Sequence, residues 1–253
     1  MTTAPTGVGI FIWEPSYCEG GDWGKIIEKA TQIGLKWIIL HGFWSQPVIS
    51  RLHTAGFYVA YSAYVTPNGA DNAVADFSRA KTAGVDAVLI DAEVEWETLD
   101  GHPCWRGVEA TAFITKLRQA MGDTWIGNAG AWQWPKMHPQ YPDKEFAMGV
   151  DAAMPERYWT EFSPDTPYAK SVTESELEWK TYADVRGYKA VIPIGSAYGL
   201  NGEVKAGHQD LKPEDLRDFL MRNDTCALWS WLHIPDFAWN VISAAIFDKA
   251  VTT

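Results

Sequence analysis

The sequence predicts a single (β/α)8 barrel spanning residues 1–253. Three observations lead to this fold. Short apolar runs alternate with amphipathic segments along the whole chain, as in repeated βαβ units. Six amphipathic segments end in a glycine just before the next apolar run, which indicates short turns after the helices. The segments after the apolar runs are longer and richer in aromatic residues and proline, and in a barrel such loops form the active-site face.

The alternation gives eight predicted strands and eight predicted helices, with no linker or repeat between them. The competing fold is a doubly wound open sheet, but its glycine-rich G-x-G-x-x-G turn is absent after the first strand. The predicted strands are Val8–Trp13, Lys36–His41, Tyr58–Tyr64, Ala87–Glu95, Trp125–Asn128, Ala152–Met154, Ala190–Ile194 and Ala227–Leu232. The predicted helices lie near residues 22–33, 46–55, 70–83, 107–121, 143–148, 173–186, 212–223 and 236–248.

Composition excludes several classes of partner. The net charge of −11 and the lack of a basic run argue against nucleic acid, which needs clustered Lys and Arg. The three cysteines and six histidines lack zinc-binding spacing, so we expect no metal and no cofactor. The N-terminus does not resemble a signal peptide, and no apolar stretch has the roughly 20 residues of a membrane span. We therefore expect a monomer made in the cytoplasm, with no membrane partner.

The fourth strand carries a run of acidic residues toward its C-terminal end. Because side chains alternate between the faces of a strand, Asp91, Glu93 and Glu95 are expected to face the barrel axis. Neighbouring carboxyls shielded from water raise one another's pKa values, and such a carboxyl can serve as a general acid. The alternative is a salt-bridged structural cluster, with Arg157 as its counter-ion. We predict Asp91 and Glu93 as the catalytic residues, with Glu95 as the alternative acid.

Tryptophan is unusually frequent, with 14 residues, and many aromatic residues fall at or just beyond the predicted strand ends. Rigid rings with a polar edge suit ligand grooves, and their flat faces suit the apolar faces of sugar rings. Several such rings around an acidic cluster favour a carbohydrate groove. The predicted substrate-binding residues are Trp13, Glu14, Tyr64, Glu95, Asn128, Trp132, Tyr158, Tyr198, Trp229 and Trp231.

The motif Asp91-Ala92-Glu93 resembles the D-x-E pair on the fourth strand of the family 25 lysozymes of bacteria and phages. The same stretch is similar to the end of the family 18 chitinase motif D-x-x-D-x-D-x-E. Asp86 also matches that motif, and a leucine replaces its middle aspartate. The segment Leu228–Trp231 resembles the tryptophan floor of the chitinase barrels.

This resemblance implies a glycoside hydrolase whose partner is an N-acetylhexosamine polysaccharide, either peptidoglycan or chitin. In these families the glutamate protonates the glycosidic oxygen, and the aspartate orients the substrate's own N-acetyl group for attack on the anomeric carbon. Carried over to this sequence, Glu93 is the acid/base and Asp91 is its partner. A phage-type lysin released to the cell wall at lysis would agree with the missing signal peptide.

Two other classes of function remain open, namely a sugar-binding protein without activity and a metal- or phosphate-dependent enzyme acting on a small metabolite. A non-catalytic carbohydrate-binding barrel would keep the aromatic groove without turnover. A metal-dependent enzyme acting on a small metabolite would use Asp91 with His41 and His233 as ligands. A phosphate-dependent enzyme would use the glycine-rich segment Gly195–Gly202. Fold alone does not separate these functions, because barrels of this type host many chemistries.

Overall fold

The computed structural model describes residues 3–161, 166–198 and 209–252. Eight parallel strands close into a barrel in sequential order, with the eighth strand paired to the first, so the predicted (β/α)8 barrel is confirmed. The strands are β1 (Gly7–Ile12), β2 (Trp37–His41), β3 (Tyr58–Tyr64), β4 (Ala87–Asp91), β5 (Trp125–Ala131), β6 (Ala152–Arg157), β7 (Ile194–Ser196) and β8 (Thr225–Trp229). The helices are α1 (Trp23–Ile33), α2 (Gln46–Thr54), α3 (Ala70–Ala83), α4 (Gly107–Met121), α5 (Asp143–Ala147), α6 (Tyr168–Arg186), α7 (Pro213–Arg222) and α8 (Asp236–Thr252).

Alternation along each strand creates two separate apolar layers. One face packs against the helices, and the other fills the barrel interior with side chains such as Ile39, Leu89 and Met154. One of the large interior groups is Trp37, whose ring is fully buried and donates a 3.2 Å hydrogen bond to the Gly7 carbonyl. In the described part of the chain these side chains fill the barrel interior. A ligand therefore reaches the barrel from the face formed by the loops that follow the strands.

The connections between helices and strands are short and lie on the N-terminal face. Gly34, Gly84 and Gly187 end their helices in the left-handed conformation, as the sequence predicts. None of the helices in the described part of the chain is both long and apolar enough to cross a membrane.

The fourth strand ends at Asp91, four residues earlier than predicted. Beyond it the chain bends, and Val94–Trp96 form a 3-10 turn instead of a strand. The cause is Trp96, whose buried ring donates a 2.6 Å hydrogen bond to the Val65 carbonyl. The Val65 amide in turn donates to the Asp91 carbonyl at 2.7 Å. Glu93 and Glu95 therefore lie in a loop, where the alternation of a strand no longer applies.

The last two strands also differ from the prediction. Pro193 has no amide hydrogen for the ladder, and β7 begins after it, preceded by an isolated bridge at Val191. The eighth strand ends at Trp229, and the following residues Trp231–His233 form a 3-10 turn. Of the glycine-rich segment considered for phosphate binding, residues 199–202 lie outside the described residues.

We expect Gly9→Ala to destabilise the barrel. A Cβ atom at Gly9 would lie 2.3 Å from the Trp37 ring, which is enclosed and cannot move aside. Overpacking of this kind costs about 1–3 kcal/mol. Thermal unfolding should report a loss of about 2–4 °C for each kcal/mol. An unchanged melting temperature would show that the interior is not packed as described.

Candidate active site

Three carboxyl groups converge at the C-terminal end of the barrel. Asp91 ends β4, Glu93 follows it in the loop, and Glu156 projects from β6. Their nearest oxygens all lie within 4.8 Å of one another. Asp91 and Glu93 are hydrogen-bonded to each other, and the Tyr158 hydroxyl donates to Glu156. The site thus combines acidic groups from two strands that are distant in sequence.

These carboxyls lie in a cavity of about 330 Å³. Trp13, which is 39% exposed, and Tyr64, which is 47% exposed, form its open rim. Trp13 stacks on Trp229 with ring centroids 6.2 Å apart and an angle of 26° between the planes. Small-ligand sites typically combine such aromatic walls with a few polar groups. The lining residues are Trp13, His41, Tyr64, Asp91, Glu93, Glu156, Tyr158 and Trp229.

Burial and mutual repulsion favour the protonated forms of these acids. Burial, together with the neighbouring charges of Glu93 and Glu95, raises the pKa of Asp91 to about 7. Burial is also the main cause that raises the pKa of Glu93, and it raises the pKa of Glu156 far above its usual range. The cluster therefore retains at least one proton at neutral pH, as general acid catalysis requires.

The counter-ion suggested by the sequence points away from this cluster. The Arg157 guanidinium donates to the Ser175 hydroxyl at 3.2 Å and to the Glu176 carboxylate at 3.3 Å, both on α6. Its side chain is on the opposite face of β6 from Glu156, because adjacent residues of a strand alternate. The salt-bridged structural cluster with Arg157 is therefore wrong.

His41, at the end of β2, contributes a neutral polar edge to the cavity. Burial lowers its pKa to about 4, so the ring is uncharged near neutral pH. Its Nδ1 lies 3.2 Å from the hydroxyl of Ser62, which is fully buried. The ring meets Trp229 edge to face, with centroids 5.1 Å apart and an angle of 89°. This packing fixes the orientation of the imidazole beside the acids.

A buried polar network holds the segment that carries the acids. The Tyr141 hydroxyl donates a 2.6 Å hydrogen bond to the carbonyl of Ala92, which lies between the two acidic residues. Gly130 lets β5 approach the same residue, since a Cβ there would lie 2.3 Å from the Ala92 oxygen. Asn128 donates to Tyr141 and to Tyr188 at 3.3 and 3.4 Å. Asn128 is thus a supporting residue behind the cavity, and its prediction as a substrate contact is wrong.

Four of the predicted substrate-binding residues line the cavity, namely Trp13, Tyr64, Tyr158 and Trp229. Tyr198 lies behind Tyr158, with ring centroids 5.8 Å apart, and hydrogen-bonds Glu161. Glu14 follows Trp13 in a left-handed conformation at the start of the next loop. The structure places Tyr198 and Glu14 beside the cavity lining and not within it.

Two predicted tryptophans lie elsewhere. Trp231 is 4% exposed and packs on Trp239 in the outer layer, with centroids 4.8 Å apart. Its prediction as a groove residue fails because β8 ends before it and the chain turns outward. Trp132 stacks on His138 with ring centroids 3.9 Å apart. Neither Trp132 nor Trp231 lines the acid cavity.

Glu95 lies on the far side of Tyr64 and lines a different cavity. The structure therefore does not support Glu95 as the alternative acid. Glu156 and His41 line the acid cavity but were absent from the predicted site. If the sixth predicted strand is extended by two residues to Glu156, the alternation of side chains between the two faces puts Glu156 on the same face as Met154. The position of His41 at the end of the second strand suggests only a metal ligand from the sequence.

Comparison with known proteins supports the fold. No protein-family model matches the chain, and no curated protein matches its sequence. A β-D-glucuronidase of Dictyoglomus thermophilum is similar with a TM-score of 0.68 and 10% identity, covering 96% of this chain and 50% of that one. The chain thus spans half the length of this enzyme.

Two chitinases are similar over their whole length. A class V chitinase of Pseudomonas fluorescens has a TM-score of 0.65 and 11% identity, covering 96% of this chain and 100% of its own. A GH18 chitinase of Pseudoalteromonas aurantia has a TM-score of 0.62 and 11% identity, covering 98% of this chain and 100% of its own. At such low identity these likenesses show a shared barrel fold.

We expect Asp91→Asn to stabilise the protein at alkaline pH. Because the pKa of Asp91 is raised from its usual 3.8 to about 7, its favourable contribution is complete below about pH 3.8 and is lost as the pH rises through 7. The uncharged amide avoids this loss. Melting temperatures from pH 4 to 9 should fall more steeply for the wild type than for Asp91→Asn.

The matched control is Asp71→Asn, which changes an exposed carboxylate paired with Lys116 on the surface. It should leave the slope of melting temperature against pH unchanged. Equal slopes for the wild type and Asp91→Asn would contradict the burial of a proton-holding cluster.

We expect His41 to remain neutral well below the pH at which an ordinary histidine titrates. The reason is its burial, which lowers its pKa to about 4. Nitrogen NMR of the imidazoles should show His41 unprotonated at pH 5. A titration of His41 near pH 6.5 would show that solvent reaches the ring.

Proposed function

We propose that this protein is a glycoside hydrolase acting on an N-acetylhexosamine polysaccharide, chitin or peptidoglycan. The observation that carries the proposal is the group of three carboxyls with raised pKa values that line an aromatic cavity. Paired carboxyls with shifted pKa values supply the acid and the base that cleavage of a glycosidic bond needs. The similarity of the barrel to a glucuronidase and to two chitinases supports the same class of reaction.

In the proposed reaction Glu93 is the acid/base. It is less buried than Asp91 and lies beyond it in the chain, on the side of the loops from which a ligand enters. Protonated Glu93 gives its proton to the glycosidic oxygen as the bond from this oxygen to the anomeric carbon breaks. The resulting carboxylate then removes a proton from the water that completes hydrolysis. The hydrogen bond from Asp91 holds Glu93 in position and stabilises its charged form.

The proposed route retains the anomeric configuration, because the substrate's own acetamido group takes the place of an enzyme nucleophile. The nearest oxygens of the three acids lie within 4.8 Å of one another, so that they can act on the same sugar. In the retaining route the acetamido carbonyl of the substrate attacks the anomeric carbon, and Asp91 orients this group. Glu156, whose pKa is raised by burial, donates a hydrogen bond to the substrate in its protonated form.

The aromatic walls support a sugar as the ligand. Trp13 and Trp229 present stacked rings beside the acids, and Tyr64 presents an exposed ring on the β3 side. Ring faces of this kind contact the apolar faces of sugars, while the carboxyls and His41 bind hydroxyl and amide groups. Release of the protein to the cell wall at lysis, as for a phage-type lysin, belongs to the same proposal.

Activity assays with purified peptidoglycan and chitin oligomers, measuring released reducing ends, test this function. We expect Glu93→Gln to lose at least about 10²-fold in kcat with substrate binding retained, because the amide has no transferable proton. Asp91→Asn should lose a similar or smaller factor. Glu156→Gln should keep most activity because an amide still donates a hydrogen bond, whereas Glu156→Ala should raise KM.

Full activity in both Glu93→Gln and Asp91→Asn would show that the acids are structural. Binding of the oligomers without release of reducing ends would favour a non-catalytic sugar-binding barrel. The three carboxyls could also hold a divalent cation, for which oxygen ligands are suited. Activity that survives EDTA is expected for the proposed route, and its loss with recovery on adding a metal would favour a metal-dependent enzyme.

A further inference from the structure

A second cavity of about 360 Å³ lies beside the acid cavity on the same face of the barrel. It is enclosed by the loop after β3 and the loop after β4, which contains the short hairpin of residues 98–103. The proposed cleavage chemistry does not use it. Its lining residues are Thr66, Pro67, Asn68, Glu95, Thr98, Leu99, Asp100, Gly101 and Arg106.

The two cavities share a boundary. Tyr64 lines the acid cavity, and its hydroxyl hydrogen-bonds the carboxylate of Glu95, which lines the second cavity. The charge of Glu95 also contributes to raising the pKa of Glu93, so the boundary is close to the acid/base. Because the Tyr64 side chain is 47% exposed, a chain molecule can pass over its ring from one cavity to the other.

The lining of the second cavity suits a hydroxyl-rich ring. Glu95 and Asp100 offer acceptors, and Asn68 offers both a donor and an acceptor. The Arg106 guanidinium uses two of its nitrogens to bind Glu109, which leaves further N–H donors. Leu99, half exposed, supplies an apolar surface beside these groups. Carbohydrate binding requires this mixture of hydrogen-bonding groups and apolar contact.

Glu95 itself indicates a missing ligand. Its Oε2 atom is buried and has no hydrogen-bond partner among the described residues. A buried acceptor left unpaired costs about 1–3 kcal/mol, and such groups in native proteins usually have a partner or a function. A hydroxyl of a bound ligand would pair with this oxygen after a small rotation of the Glu95 side chain toward the cavity, because the oxygen has almost no accessible surface.

We propose that the second cavity is a sugar subsite that binds an adjoining unit of the same glycan chain. The inference rests on the proposed function, and it specifies a substrate that spans both cavities across Tyr64. The acid cavity then holds the sugar whose bond is cleaved, and the second cavity adds affinity for longer chains. The protein should therefore prefer oligosaccharides to the shortest cleavable substrate.

The test compares kcat/KM for N-acetylglucosamine oligomers of two to six units. For the wild type we expect a rise with chain length. Asn68→Ala and Glu95→Gln should each reduce kcat/KM for the long oligomers by about 3- to 10-fold, the effect of one hydrogen bond. The ratio of kcat/KM for the long oligomers to kcat/KM for the short oligomers should fall in both variants. The use of a ratio cancels any effect of Glu95 on the pKa of Glu93.

Val108→Ala is the matched control, since Val108 is 73% exposed on α4 close to this loop but outside the cavity lining. It should keep the wild-type ratio. An unchanged ratio in Asn68→Ala and Glu95→Gln, with an active enzyme, would overturn the subsite and leave the proposed function intact.

If the wild type cleaves neither these oligomers nor peptidoglycan, the proposed function fails and binding decides the subsite separately. The hexamer should then bind Asn68→Ala about 3- to 10-fold more weakly than the wild type in calorimetry. Equal affinities, or no binding to the wild type, would overturn the subsite as well.

Discussion

The burial of three carboxyls against one another is the constraint on which the site depends. Asp91, Glu93 and Glu156 converge in a cavity whose depth raises their pKa values, while the guanidinium of Arg157 faces the other side of β6. Clustered ionised carboxylates shielded from water would destabilise the fold, so the cluster retains protons. The same physical cost makes a proton available for transfer. Strain of this kind is common at functional sites, where stability is lost in favour of reactivity.

Such a cluster needs a rigid frame, because like charges otherwise move apart into solvent. This rigidity comes from residues on the side of the strands that faces the helices. Tyr141 binds the Ala92 carbonyl, Gly130 allows β5 to approach the same residue, and Trp96 anchors the following turn to Val65. Each of these groups belongs to the outer layer, between the barrel and its helices. The apolar core that stabilises the fold is therefore also what positions the acids.

The aromatic rings perform two different tasks. Trp37 and Trp96 are fully buried and fill space, whereas Trp13 and Trp229 stack at the mouth of the barrel beside the acids. His41 belongs to the second group. It remains neutral, so it supplies a polar contact without neutralising the carboxylates or lowering their pKa values. The cavity thus has one acidic side and one uncharged aromatic side, which agrees with the proposed binding of a sugar.

The sequence by itself determined the barrel, because eight apolar runs and their glycine-ended helices permit few other topologies. It also placed Asp91 at the carboxyl end of β4, since period-two alternation holds while a strand continues. Tertiary structure decided the rest. Packing of Trp96 ended the strand early and sent Glu93 and Glu95 into different cavities. The meeting of Glu156 with the other acids depended on closure of the barrel, which brings together strands that no local pattern in the sequence relates.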